Sequence, residues 1–574
     1  MYPFKALSDR KKLILFLISI FVFYIVLGFQ GFDMCDDGFV LTAYQQMFND
    51  PESVRYTFLY YLSVYIGGIW NILFGHWGIL GFRLLAALCI SATAYFVWRM
   101  MHRIMPFWCI VLGVYWSFLC ADYGLMSFYH NHLTSLFAVI ASFLIYRSLI
   151  ESKPVLMFAG GFLVGVNVFS RLPNLSLVLL GLVIAPYYMH THDSRKSLLM
   201  LLYGVAGFFA GILCIVGLMF FSGHLNLFFE TVTDGFHVAG SSENSHGLAN
   251  LAVTYAGNYF DVASDMLLAM FFPVIACYCT KFVKQCYALT FMVVSGVAYV
   301  GIMSFTSTNT YVLYAVSTFA CFAIFILKKV EYSWKYLAVI VIINMYALPL
   351  GSDFGISNMG EHCVYMSAPL TVGAFYNMVV SLRGEKLKRN LVVLFAFVLA
   401  AFVVKRGVCN IFNQCYFDEG CRLDKNYRID SPLATTYTTR KNCEMLNPLL
   451  HELQLYVNKN DYLLCFQYSP TIHYLTHTRP YLYNPWIFTY DSEALERKFN
   501  KAETEHKKLP VMVRDKSIPP HWYEPYDYWD DNNAPENFFH KNRKLDLIHS
   551  FIARHNYRVV WENEVFQILL PAEQ

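Results

Sequence analysis

The chain has 574 residues, of which 57% are hydrophobic and 14% charged, with a formal net charge of +3 and a mean hydropathy of +0.41. Soluble domains carry about 25% charged residues, so this composition reads as a polytopic membrane protein. A charge of +3 with no Lys/Arg-rich block excludes a nucleic-acid reading and leaves charge informative only through its position.

At the N-terminus Lys5, Arg10, Lys11 and Lys12 precede an apolar run from Leu13 to Leu27. The run is long for a secretory h-region and no small-x-small cleavage site closes it, so an uncleaved first helix is expected. Directly after it, the stretch from Gly31 to Phe39 holds three carboxylates, Asp33, Asp36 and Asp37. Carboxylates are costly inside a bilayer and reactive at its surface. The next segment, Tyr56 to Gly75, is apolar but rich in Tyr and Trp and interrupted by Gly67 and Gly68. Such a segment is expected along the outer interface, where amphipathic rings prefer to lie.

Runs able to cross roughly 30 Å of hydrocarbon follow at 78–100, 107–121, 129–147, 155–170, 173–189 and 198–221, then at 263–280, 287–305, 311–327, 335–350, 364–382 and 391–405. With the first, that predicts about thirteen helices. Lys and Arg alternate along the connections, as cytoplasmic loops require. One set holds Arg99 with Arg103, Arg147 with Lys153, Arg195 with Lys196, Lys281 with Lys284, Lys328 with Lys329 and Lys335, and Arg383 with Lys386, Lys388 and Arg389. The other set holds only Arg55, Arg83 and Arg171 as near-isolated cases. The N-terminus is therefore expected inside and the C-terminal tail outside, with Lys405 and Arg406 as a local exception.

Two domains are expected: a transmembrane one over 1–405, with a first outer loop near 31–77, and a water-facing one over 406–574. In the tail, Leu446 to Val457 and Leu545 to His555 read as helices, while Asp461 to Gln467, Pro510 to Arg514, Tyr557 to Trp561 and Val565 to Leu570 read as strands, an α/β layer. Five of the 15 cysteines (Cys409, Cys415, Cys421, Cys443 and Cys465) fall there, and the spacing of the first three suits a small disulfide-tied loop in an oxidising compartment. The remainder read as buried apolar side chains.

Orientation gathers the remaining polar residues on one face. Beside the acidic cluster and Arg55, the outer loops supply Asp122, His130, Asn131 and His132; Arg171 and Asn174; Asp234, His237, Glu243 and His246; and Asp353, Asn358, Glu361 and His362. Transfer of a sugar from a lipid phosphate needs a carboxylate to take the acceptor's proton, and cations or a metal to steady the departing phosphate. An outer aspartate supplies the first; Arg171, Arg83 or Arg55 supplies the second through bidentate contacts. Each residue also has a plain reading. An aspartate past a helix is commonly a solvated cap, an arginine at a helix end a snorkelling or paired residue, and Asp353 and Glu361 lie in a Gly/Ser-rich turn.

The first helix from the inside, the acidic pair followed by Gly38, the interfacial stretch ending Ile72-Leu-Phe-Gly75 and the Gly81-Phe-Arg-Leu84 opening of the next span resemble the glycosyltransferase C (GT-C) superfamily. Within it the chain is similar to the polyprenyl-phosphate-dependent branch that includes protein O-mannosyltransferases and the aminoarabinose transferase of lipid A. The resemblance covers residues 12–190 most closely. It implies Asp36 as base with Asp37 beside it, Asp33 in reserve, and Arg171 towards the donor phosphate. The Tyr129-His-Asn-His132 segment departs from the acidic form of several branches, leaving His130, Asn131 and His132, with Asp353 and Glu361, as substrate-binding candidates.

The expectation is an inverting glycosyltransferase in a bacterial inner membrane, with a polyprenyl-phosphate-linked sugar donor and a glycan, lipid or protein acceptor. No cofactor is specified by the residues; a divalent metal is an option, its ligands unknown. The rival readings are a transporter or flippase of a lipid-linked glycan, which needs charged residues within spans and broken repeated helices, and a non-catalytic envelope scaffold, which leaves the acidic cluster unexplained.

Overall fold

The computed structural model describes residues 9–119, 127–241, 245–279, 294, 309–326, 330–381, 385, 388–389, 391–393, 396, 411–412, 415, 418–466, 468–505, 507–516 and 541–572. These are mostly helical, with a small sheet towards the C-terminus. Helices stand where the apolar runs predicted them, at Asp9–Gly28, Gly78–Met101, Phe107–Leu119, His130–Glu151, Pro154–Asn167, Ser194–Phe221, Asn309–Ile326, Tyr332–Ala347 and Ser367–Ser381. Five stretches among the described residues are long and apolar enough to cross a membrane: Asp9–Gly28, Pro51–Met101, His130–Glu151, Leu172–Thr191 and Ser194–Phe221. Ile356–Cys363 and Ser367–Ser381, bent by 64° at their junction, make a sixth if counted as one broken span. That is short of the thirteen expected, because Phe107–Leu119, Pro154–Asn167 and Thr310–Ile326 are apolar but fall below the roughly 20 residues a straight crossing takes. Most of the 287–305 and 391–405 runs, with Asp122, Glu243, Lys281, Lys284, Lys328, Lys329, Arg383, Lys386, Lys405, Arg406 and Cys409, lie outside the described residues.

One pair of helices shows how apolar helices associate where no hydrophobic gain separates protein from lipid. Gly161 and Gly165 on Pro154–Asn167 face Gly207 and Gly211 on Ser194–Phe221. A Cβ on any of them would come within 2.0–2.2 Å of a facing backbone oxygen. Two interlocked Gly-x-x-x-Gly pairs thus let the backbones touch.

Two expectations are corrected. The 222–262 loop is helical, with Leu225–Gly240 followed by a helix that starts at Leu248 and runs to Cys279. And Cys415, Cys421, Cys443 and Cys465 are all unpaired; Cys415 is buried with its Cβ face against Gly31, so the segment is held by packing.

The C-terminal domain follows its reading closely. The Arg440–Leu453 helix starts at the Thr439 cap, whose hydroxyl accepts from the Asn442 amide, and buries Cys443, Leu446, Leu449, Leu450 and Leu453 on one face. Strands β3 (Tyr462–Phe466), β4 (Arg479–Pro480), β5 (Val511–Asp515), β6 (Arg558–Glu562) and β7 (Phe566–Leu570) form a sheet of order β4-β3-β5-β7-β6, with β1 (Tyr427–Arg428) and β2 (Tyr437–Thr438) pairing separately. β4, β3 and β5 are parallel and β7 and β6 antiparallel additions. The connection from β3 goes out to β4 and returns to β5 on the other side, so the chain reverses direction across β3.

The domain docks on the segment that follows the Asp9–Gly28 helix, through that segment's own backbone. The Arg422 guanidinium donates to the Leu27 carbonyl at 2.8 Å, the Gly31 amide to the Tyr437 carbonyl at 2.8 Å and the Phe32 amide to the Asp418 carboxylate at 2.7 Å. The Thr471 hydroxyl and amide donate to the carbonyls of Asp33 and Met34 at 2.9 and 3.2 Å. Asp418 is itself neutralised by Lys425 at 3.1 Å, both side chains fully buried.

Candidate functional site

The acidic cluster opens the Asp36–Gln46 helix. Asp33, upstream of it, accepts from the amides of Cys35 and Asp37, both at 2.7 Å, and so satisfies the exposed donors of the first turn. Burial, then the neighbouring Asp37 and Asp36 carboxylates, push the Asp33 carboxyl well above the usual range, while the two amides pull it down. Asp37, 1% exposed, pairs with Arg83 at 3.3 Å and accepts from the Ser127 amide at 3.2 Å. Asp36 is the most open of the three, at 8% against 2% and 1%. It accepts from the Tyr129 hydroxyl at 3.4 Å.

The arginines divide in the same way. Arg83 donates to the carbonyls of Gly28, Gln30 and Gly31 at 2.7–3.0 Å as well as to Asp37, which uses it as a staple for the loop. Arg55 pairs with Glu230 and, at 3.4 Å, with Asp234, and lies 5.2 Å over the Tyr483 ring. Both are taken up in architecture rather than turned to a ligand. Arg171 differs. It is 4% exposed and donates to the carbonyls of Leu348 at 3.0 Å and Leu350 at 2.5 Å, with no carboxylate in pairing distance among the described residues. Gly351, at φ +84°, keeps this turn tight against Pro173 and Arg171.

His130, 6% exposed, stacks flat on Tyr60 at 4.0 Å and 5°, and its Nδ1 has no hydrogen-bond partner. Phe39, Tyr44, Tyr60, Ser63 and His130 line a narrow cleft of about 10 Å³, room for about one water. Arg171, Asp353 and Asp36 all lie within electrostatic reach of the Tyr60 hydroxyl, and Arg171 within reach of His130. His132 accepts from the Tyr129 amide at 3.2 Å and lies 5.2 Å, ring to ring, from His362. The Nδ1 of His362 has no hydrogen-bond partner, and its Nε2 is 3.4 Å from Glu361. Asn131 and Glu361 are buried, while half-buried Asp353 accepts from Ser245 at 3.4 Å and the Phe354 amide at 3.0 Å.

The structure thus brings together Asp36, Arg171, His130 and Asp353 around the Tyr60 and Tyr129 rings, and turns Asp33, Asp37, Arg83 and Arg55 to support. Tyr60, Tyr129, Thr471 and Asp418 were not singled out from the sequence. With 41 tyrosines in the chain, no local pattern marks these two. Among the described residues no group of three or more His, Cys, Asp or Glu side chains could hold a metal ion. No protein-family model matches the chain, and no curated protein matches it.

Proposed function

We propose that the protein is an inverting glycosyltransferase of the outer membrane face, drawing its sugar from a polyprenyl-phosphate donor and passing it to a glycan, lipid or protein acceptor. The observation that carries this reading is Arg171, a buried cation whose contacts are carbonyls and not carboxylates. A buried charge left uncompensated is costly, and a phosphate arriving from the bilayer would complete it. In the reaction the acceptor hydroxyl oxygen bonds to the anomeric carbon as Asp36 takes the hydroxyl proton. The bond from that carbon to the phosphate oxygen breaks, and the phosphate leaves with the electron pair towards Arg171. The Tyr129 hydroxyl orients Asp36.

The same reading places about thirteen spans in a bacterial inner membrane, with the N-terminus cytoplasmic and residues 406–574 outside. The basic residues of alternate loops and the interlocked glycines of Pro154–Asn167 and Ser194–Phe221 support it. Sealed right-side-out vesicles test both halves at once. External protease should remove the tail domain, and sugar from an added polyprenyl-phosphate donor should appear on acceptor. Asp36→Asn should insert normally and lose transfer by at least about a thousandfold, the scale of a missing general base. Full transfer by that variant would sink the assignment of Asp36.

A further inference from the structure

The parallel strands β4, β3 and β5 end on one edge of the C-terminal sheet, and the chain reverses across β3. Open α/β sheets bind ligands outside the carboxyl ends of their strands at such a reversal. Here that edge faces the acidic loop. The segment after β3 carries Tyr468, whose amide donates to Asp515 at the end of β5 at 2.8 Å, and whose carbonyl accepts from the Cys35 thiol at 2.9 Å. At the next residue the Ser469 hydroxyl donates to the same Asp515 at 2.9 Å, and Thr471 grips Asp33 and Met34. The segment after β4 carries Trp486, whose ring meets Tyr468 at 6.5 Å and Phe39 of the acidic-loop helix at 6.4 Å.

Phe39 connects this edge to the cleft. Its ring meets Tyr60 and Tyr56, each at 6.4 Å; Tyr60 stacks on His130, and Tyr56 meets Tyr490 of the C-terminal domain at 5.4 Å. A continuous strip of rings therefore runs from His130, beside Arg171, to Trp486. Tyr56, Tyr60, Tyr129 and Trp486 in it are half-buried, each keeping part of its surface open. Buried rings would serve as core. Half-open ones present an aromatic face to a flat partner with an apolar C–H face, which is a pyranose ring.

We propose that Trp486 and Tyr56 form a carbohydrate-stacking wall, contributed across the domain boundary, that holds a saccharide acceptor at the mouth of the cleft. The inference rests on the glycosyl-transfer reading and names its acceptor class: a glycan presented as a pyranose chain, in preference to a polypeptide.

The test measures binding without turnover, so it can fail independently of that reading. Full-length protein in nanodiscs is mixed with a panel of maltotriose, chitotriose and methyl pyranosides, and saturation transfer from protein to sugar ring protons is recorded. The wild type should saturate at least one saccharide. Trp486→Phe should retain that signal, and Trp486→Leu should bind about tenfold more weakly, as expected when one aromatic face is lost. Tyr56→Leu repeats the comparison if Trp486→Leu does not fold. No saturation of any saccharide, or equal affinity in wild type and both Leu variants, overturns the proposal. Asp36→Asn should bind the saccharide as the wild type does; if that variant also transfers sugar normally, the failure belongs to the catalytic reading and not to this one.

Discussion

Three aspartates within five residues do three different things, and their surroundings decide which. Asp33 is committed to two amides and Asp37 to a buried arginine, so Asp36 is the one whose carboxylate opens towards the Tyr129 hydroxyl. The cluster is legible in the sequence, but this division is not, because it depends on Arg83 and Ser127 arriving from later in the chain. The same dependence governs His473 in the C-terminal domain. It is 1% exposed beside Thr478, and burial pushes it down to about 3 from its ordinary 6.5. The folded chain thus holds it neutral while the unfolded chain protonates it. Stability from this group is present above pH 6.5 and is lost as pH falls towards 3, at up to about 1.4 kcal/mol per pH unit. Thermal unfolding of the full chain at pH 7 and pH 5 should show that loss, and His473→Gln should reduce it; an unchanged slope in the variant would rule His473 out. Asp33 works in the opposite sense. Its carboxyl is raised, so its contribution is greatest below the usual carboxylate value of 3.8 and declines as pH rises.

At the scale of elements, apolar run length was the legible signal. It located the helices from Gly78–Met101 to Ser367–Ser381 and every strand of the five-stranded sheet except the two-residue β4, which has too little sequence to carry a pattern. It misread 222–262, where Leu225–Gly240 buries one face yet carries Glu230 and Asp234 on another, so its mean polarity looked like a loop. It also gave no hint of which glycines mark close approach. Gly38 is one: a Cβ there would lie 2.1 Å from the Thr471 amide nitrogen, which is backbone and cannot swing aside. Gly38→Ala gains roughly 1 kcal/mol of helix propensity but forces the Asp36–Gln46 helix away from the C-terminal domain. Overpacking of this kind costs about 1–3 kcal/mol, and the loss of the Thr471 bonds to Asp33 and Met34 adds to it, so destabilisation should win. Gly235→Ala is the control, since its nearest neighbour, Leu59, is at an ordinary 3.5 Å. Melting temperatures of the two variants should separate, Gly38→Ala falling and Gly235→Ala holding or rising; equal values would mean the helix and the domain are not in contact there.

Across the whole molecule, the tail domain is joined to the membrane part by two different kinds of bond. On one side lie the backbone contacts of residues 27–34; on the other lies a charged junction that ties Leu225–Gly240 to both. Asp234 is its hub, paired with Lys498 of the tail at 2.5 Å and with Arg55 of the first loop at 3.4 Å. Lys501 extends it to Glu52 at 3.2 Å and Glu230 at 3.8 Å, and the Tyr483 ring lies under Lys507 and Arg55. The side chains of Arg55 and Lys498 are each only 5% exposed, so their charges cannot turn to water when a partner is lost. Asp234 itself is 29% exposed, which moderates the penalty below the 3–5 kcal/mol of a fully buried break to about 2 kcal/mol. Asp234→Asn should therefore loosen the tail and raise its cleavage by protease in intact vesicles about thirtyfold, the population shift that 2 kcal/mol implies. Glu496→Gln breaks the exposed pair with Arg543, whose side chains are 45% and 53% exposed, and should change cleavage by less than about threefold. Salt adds the decisive comparison: 0.5 M NaCl should erase whatever Glu496→Gln does and leave the Asp234→Asn effect standing, because screening reaches exposed charges and not buried ones. If salt alone released the tail in the wild type, the junction would be a screened surface ion pair and the burial of Arg55 and Lys498 would not protect it.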